Sequence, residues 1–464
     1  MQRALLIKAF LIGAVFLVLL IPLRMIDGTV AERAGRQQAV VDEIMSSSYG
    51  RQLFAGPVLS LPYVEEYDET PDVKGGRVER IRVQRVLYFF PASEELNGDA
   101  GVGEKKRGLF KARVFGWKAS VHGEFALSGL TVIERTRTDS HIAWGQPTVS
   151  LSLGDPRGLN GSPALQWAGK PVQFERGSAL PNMATGLHAA VPEFDPLKPQ
   201  RFAYSLSLEL RGAESLAVVP LASDNKIRLT SSWRHPSFGG QFLPSPESQE
   251  ITQDGFRANW DISALASSAQ QQMLAQFNGR ELAGPGPARL EVRFIEPIDI
   301  YSMSDRALKY GFMFIGLTFA CLILFELLKQ LPIHPLQYLL CGLALAVFFL
   351  LLIGLSEHMP FGAAYLIAAT GCIALLGYYL SGAVRSTRLG SLFSAMLVTL
   401  YSALYGLLIS EDNALLLGSL LVFGMLAVAM IATRRTDWYA LTMKKPAIPS
   451  VAGESMADVA ASPA

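Results

Sequence analysis

Cysteine is scarce in this 464-residue chain, which has three, Cys321, Cys341 and Cys372. All lie inside long apolar runs and none stands in a C-x-x-C spacing, so spacing offers neither a disulfide framework nor a thiolate metal site. They read as small buried apolar residues. Excess charge of either sign is also missing. Lys plus Arg number 41 and Asp plus Glu 40, so no basic field favours nucleic acid as a partner. Catalytic punctuation is absent too. There is no H-E-x-x-H, no G-x-S-x-G and no G-K-[ST], and no S-x-x-K in a setting that would support a nucleophile. That removes the usual signatures of a zinc protease, a serine hydrolase and a phosphate loop, and no cofactor or metal is expected.

What the chain has is apolar length. Mean hydropathy is +0.27, and half the residues are hydrophobic (50%). Ala4 to Leu23 is long enough to cross a bilayer and carries one charge, Lys8, which can snorkel to the interface. A cleaved signal peptide is the competing reading, because Arg3 and Lys8 precede an apolar core. The lack of an A-x-A signal near the apolar end favours an uncleaved anchor. Five more runs of spanning length follow after residue 310: Gly311 to Leu328, Pro335 to Leu355, Phe361 to Ser381, Leu389 to Ile409 and Asn413 to Thr433.

Basic residues near span ends stay on the cytoplasmic side. Arg3, Lys329, Arg385, Arg388, Arg434, Arg435, Lys444 and Lys445 lie in alternate connections, whereas "SEHMP" and "SED" have none. Both termini are therefore expected in the cytoplasm, with a large domain outside. Arg24, Arg306 and Lys309 flank that domain, as long translocated segments allow. The fold class read from this is an integral membrane α-helical protein of six spans, one N-terminal and five C-terminal, with a large inserted extracytoplasmic mainly-β domain. The parts are an anchor helix (4–23), the outside domain with a leading helix (24–310), a five-helix membrane domain (311–433) and a cytoplasmic tail (434–464) whose Pro, Ala and Ser content predicts disorder.

In the outside domain, Val30, Ala34, Val41 and Ile44 or Met45 recur at helical spacing, so the first span is expected to continue as a helix. Beyond Gly56 the period becomes two. In "RFAYSLSLELRG", Phe202, Tyr204, Leu206, Leu208 and Leu210 alternate with polar residues, and "VFGWKASVHGEF", "TVSLSLGD" and "RLEVRFIEP" repeat the pattern. "KGGR", "NGDAGVG", "GDPRGLNG" and "HPSFGG" read as turns. An antiparallel sandwich or bent sheet is predicted, with at most one short helix near "SALASSAQQQMLAQFNG". Ser304 in "SMSDRALKYG" is expected to cap the second span.

Candidate functional groups are few. Glu357 and His358 are expected in an outside turn, where a solvated pair stops the flanking helices from sliding. The alternative is a proton-relay or ion-binding element. Glu326 precedes Lys329 by one turn, which predicts a helical ion pair. Glu411 and Asp412 precede the last span beside Asn413, a capping position, and with Glu357 and His358 are candidate ligand-facing acids on the outside. His235 sits among Trp233, Phe238 and Phe242, a core-packed corner or a peptide or glycan contact surface. Asp155 and Arg157 flank a proline where Asp closes a turn. "NGDAGVGEKKRG" reads as a mobile loop.

Five stretches together carry a family resemblance: "HPSF", "SDRALKYGFMF", "HPLQYLLCGLALAVFFLLLIGLSEH", "NALLLGS" and "TRRTDWYAL". From the anchor to Leu441 the chain resembles the CreD family of bacterial inner-membrane proteins. The resemblance implies a periplasmic position for the β-domain and a role in cell-envelope integrity, stress response and colicin tolerance under an envelope-responsive two-component regulator. It brings no catalytic residue. The expected function is non-enzymatic. The partners are the lipid bilayer and another envelope protein, lipid or glycan held by the periplasmic domain. The alternative is a transporter or envelope-modifying membrane enzyme with a path along Glu326, Glu357, His358 and Tyr378 or Tyr379.

Overall fold

The computed structural model describes residues 2–69, 78–108, 110–280, 286–295, 300–329, 333–410 and 413–434. Among them are helices α1 (Gln2–Ser47), α2 (Ala269–Phe277), α3 (Ile300–Lys329), α4 (Pro335–Ser356), α5 (Phe361–Ala383), α6 (Thr387–Ile409) and α7 (Ala414–Thr433). Two compact units result, Met1–Ala34 with Ile298–Ala464, and Gly35–Pro297. As the spacing predicted, α1 continues past the anchor and contributes to both.

Six helices, all except α2, are long and apolar enough to cross a membrane. Their core gathers Leu19, Leu23, Phe314, Tyr338, Phe349 and Tyr401. Glycine lets α1 and α4 approach closely: a Cβ at Gly342 would lie 2.0 Å from Leu19 Cδ1. In contrast, α7 buries none of its apolar span within the unit, as a lipid-facing helix does. The start of α4 carries a capping box, with the His334 ring accepting from Leu336 N at 3.2 Å and Gln337 Oε1 accepting from His334 N at 2.9 Å. Ser304 is not the cap expected of it. It is buried inside α3, because Tyr301 and Met303 already continue the buried helical face upstream.

The inserted unit holds two sheets. The eight-stranded one runs in space Gln249–Thr252, Gly255–Ser263, Asp224–Ser231, Ser93–Arg107, Phe110–Leu127, Gln200–Ala213, Ala164–Trp167 and Lys170–Val172. Its registers align Leu96, Val121, Leu206 and Ile227 on the buried face, while Glu95, Lys118 and Lys226 are exposed. The nine-stranded sheet is built around Gln52–Glu69. That strand pairs antiparallel with Glu79–Phe89, His141–Trp144 and Thr148–Leu153 but parallel with Ser215–Val219. A second parallel pair joins Ser93–Arg107 to Asp224–Ser231, so the expected antiparallel sandwich is a mixed one.

Phe54, Trp117, Leu151, Leu206 and Val292 fill the core between the sheets. The short predicted helix is α2, and its Met273 and Phe277 cover Ala55, Val58 and Val219 on the other side of the nine-stranded sheet. Covered on both faces, Thr148–Leu153 and Ser215–Val219 are buried almost continuously.

Two expected turns are strands. "NGDAGVGEKKRG" lies mainly in Ser93–Arg107, paired with Phe110–Leu127, and is not a mobile loop. Its glycine there makes room for an aromatic ring, since a Cβ at Gly98 would meet Trp117 Nε1 at 2.2 Å. "HPSFGG" supplies the edge strand Pro236–Gly240, bonded to Leu290–Phe294. "KGGR" and residues 435–464 of the tail lie outside the described residues.

Candidate functional site

Charged side chains of the membrane unit meet α1 at two levels. At the first, Lys8 Nζ is bonded to Glu326 Oε1 on α3, and the hydroxyl of Tyr338 on α4 donates to Glu326 Oε2 at 2.9 Å. The Lys8 and Glu326 side chains are 24% and 18% exposed. The side chain of Lys329, the partner expected from the sequence, lies outside the described residues; among the described residues the carboxylate is met by Lys8 and Tyr338. At the second level, Arg33 Nη1 lies 3.6 Å from Glu357 Oε1, and Tyr301 Oη donates to the same oxygen at 3.3 Å.

Each level thus contains a base from α1, a glutamate and a tyrosine. Tyr338 and Glu357 stand at opposite ends of α4, about 28 Å apart by helical rise. That is close to the thickness of the hydrocarbon layer, roughly 30 Å. The two carboxylates are thus engaged at opposite ends of α4, Glu326 through Tyr338 and Glu357 at its C-cap.

Glu357 and His358 part company. The Glu357 side chain is only 11% exposed, while His358 is exposed. The doublet is therefore half clamp and half solvated turn. Glu411 and Asp412 lie outside the described residues, and Asn413 sits at the N-cap of α7 with no side-chain capping bond. Tyr378 is largely exposed. His235 is exposed at the edge of an aromatic corner, where Trp233 Nε1 donates to His235 O and Phe238 meets Phe256 and Trp260 edge-on. Trp233, Phe238 and Phe242 pack against the core there, beside the exposed His235.

In the inserted unit the turn at Asp155 does more than close on itself. Asp155 Oδ1 accepts from Arg157 N at 3.0 Å, and Oδ2 accepts from Gly50 N at 2.8 Å. Arg157, held by that carboxylate, donates through Nη1 to Ser46 O at 2.7 Å, so it caps the last turn of α1. Hydrogen bonding from Arg157 holds the Asp155 carboxyl below its ordinary value, against burial.

Two buried carboxyls behave oppositely. Burial pushes Glu65 up, but bonds from the Arg137 backbone, the Ser140 side chain and both Thr136 groups outweigh it and hold it at about 2. Burial raises Glu94 to about 8, with one opposing hydrogen bond from Tyr204 at 2.8 Å. Its other oxygen has no partner.

Among the described residues no group of three or more His, Cys, Asp or Glu is placed to hold a metal. Lys8 was visible in the sequence, but its pairing, and the parts of Arg33, Tyr301 and Tyr338, carry no local signal.

The family model described as "Inner membrane protein CreD" matches residues 4–439. A relative, "Inner membrane protein CreD" of Escherichia coli (strain K12), is 35% identical over 435 residues, covering 94% of this chain and 94% of that one. Among solved structures, an M1 zinc metallopeptidase from Deinococcus radiodurans is similar at a TM-score of 0.19 and 11% identity, over 44% of this chain and 42% of that one. A likeness so slight carries no argument about fold or chemistry.

Proposed function

The chain belongs to the CreD family of inner membrane proteins, and on that premise we propose that it is a non-enzymatic cell-envelope protein acting in envelope integrity and colicin tolerance. Its Gly35–Pro297 unit stands in the periplasm and binds another envelope component, and both termini are cytoplasmic. One observation carries the reading: α1 is a single helix from Gln2 to Ser47 that is clamped in the membrane unit at Lys8 and Arg33 and capped by Arg157 in the inserted unit. A helix so held can pass the bound state of the domain to the spans.

The transporter or envelope-modifying reading is weaker, because Glu326 and Glu357 are engaged at opposite ends of α4. Two measurements test the proposal. Protease added to intact spheroplasts is expected to cut the inserted unit and spare the tail after Arg435; the reverse pattern overturns the orientation. Photo-crosslinking residues on the exposed face of the eight-stranded sheet, at Lys118 and Lys226, are expected to trap an envelope component in intact cells. No adduct, together with vesicle transport that depends on Glu326, would replace the binding role with a transport one.

A further inference from the structure

The Lys8–Glu326 contact fixes the register of two antiparallel helices. From Lys8, α1 carries no charge until Arg24, 16 positions on, and from Glu326 back, α3 carries none until Lys309, 17 positions away. Those intervals are about 24 Å and about 26 Å of helix. Arg24 and Lys309 therefore stand at nearly one level, a hydrocarbon thickness from the first clamp. They line one cleft of about 270 Å³ with Leu23, Leu308 and Phe312, and the Arg24 guanidinium lies 6.0 Å from the Phe312 ring centre. An open apolar surface of Leu20, Ile21 and Met25 adjoins Arg24.

Above the bases is a second tier. Asp27 is one turn farther along α1, 3.7 Å from Arg24, and Asp305 is one turn farther along α3, 2.7 Å from Lys309. Both bases are mostly exposed, 75% and 69%, and can turn to a ligand.

We propose that this cleft binds the headgroup of an aminophospholipid. The phosphate lies between Arg24 and Lys309, and the primary ammonium sits one turn farther out, between Asp27 and Asp305. An acyl chain follows Leu20 and Ile21. Bases alone would select an anionic lipid. The carboxylate tier disfavours a net negative headgroup and rewards an N–H donor, which a choline headgroup lacks.

The test uses the full-length protein in detergent, with native mass spectrometry and phosphatidylethanolamine, phosphatidylcholine and phosphatidylglycerol of identical chains. The protein is expected to retain phosphatidylethanolamine over either rival by roughly tenfold. Arg24→Gln with Lys309→Gln should abolish that retention. Asp27→Asn with Asp305→Asn should level phosphatidylethanolamine with phosphatidylcholine and raise phosphatidylglycerol. Cysteines that stay unreactive to a thiol dye report a folded membrane unit, and if a double variant fails that control, Asp27→Asn alone must still narrow the preference. Phosphatidylglycerol bound as well as phosphatidylethanolamine by the unaltered protein overturns the proposal. So does retention unchanged in the Arg24 and Lys309 variant, or displacement by soluble glycerophosphoethanolamine at equal concentration.

Discussion

Replacing Glu94 with Gln should change the pH dependence of stability more than it changes the structure. Glu94 is 3% exposed and sits in the row Glu94–Gly123–Tyr204 across three strands. Gly123 keeps the row open, since a Cβ there would lie 2.5 Å from Tyr204 Oη. Burial lifts the carboxyl from an ordinary 4.5 to about 8. Between those values the folded domain holds a proton that the unfolded chain has released. The folded state binds more protons, so stability falls as pH rises through that window and levels off above it. Each pH unit is worth about 1.4 kcal/mol, so the loss across the window is on the order of 5 kcal/mol. Glu94→Gln has no proton to lose. It should be close to the unaltered protein near the acid end and more stable at the alkaline end, less about 1 kcal/mol for an imperfectly bonded amide. Urea unfolding of the full-length protein in detergent, followed by the fluorescence of buried Trp117 and Trp167, measures the difference at each pH. Tyr204→Phe, which removes the one hydrogen bond lowering the carboxyl, should carry the decline to higher pH. Parallel profiles for the unaltered protein and Glu94→Gln would refute the reasoning.

Gly342→Ala should lower the thermal stability of the membrane unit by about 1–3 kcal/mol, because the new methyl collides with Leu19. Adding Leu19→Ala should recover part of it, read by a thiol dye on the three buried cysteines. Lys8→Met should destabilise that unit by on the order of 2–3 kcal/mol, and Lys8→Met with Glu326→Met should recover most of the loss, since the cost lies in leaving one charge alone. Arg157→Ala should speed amide exchange at Ser46 to Ser48 about fivefold, the loss of about 1 kcal/mol of capping at the end of α1. Unchanged exchange there would show that water caps those carbonyls equally well.

The spans were legible because length and apolar content are local properties of the chain. So was each strand with one wet face: Gln200–Ala213 follows the alternation read in "RFAYSLSLELRG". Where the physics is non-local the sequence misled. Glycines in "NGDAGVG" look like turn residues, yet Gly98 is small because Trp117, on the next strand, lies over it. Parallel pairing of Gln52–Glu69 with Ser215–Val219 leaves no local trace, since the partners are far apart in the chain. The same limit applies to the acids. At Glu326, Lys8 and Tyr338 arrive from two other helices. At Glu357 the turn was legible, while Arg33 and Tyr301 were not.

The positions of these acids bear on the choice between holding and conducting. A carboxylate at the middle of a bilayer costs about 3 kcal/mol even by insertion scales, which is why such residues mark ion paths. Here the interior stretch of α3, Tyr310 to Phe325, carries no charge at all. Glu326 sits at its end with a base and a phenol already on it. To serve a path, Glu326 would have to leave Lys8. Separating a largely buried pair costs on the order of 3 kcal/mol, so fewer than about one molecule in a hundred would be open at rest. A clamp needs no such excursion, because its work is done in the closed state. Glu357 is likewise engaged, by Arg33 and Tyr301, although the more exposed Arg33 makes that pair weaker. Two clamps, one at each end of α4, restrain α1 against tilt and sliding within the membrane unit.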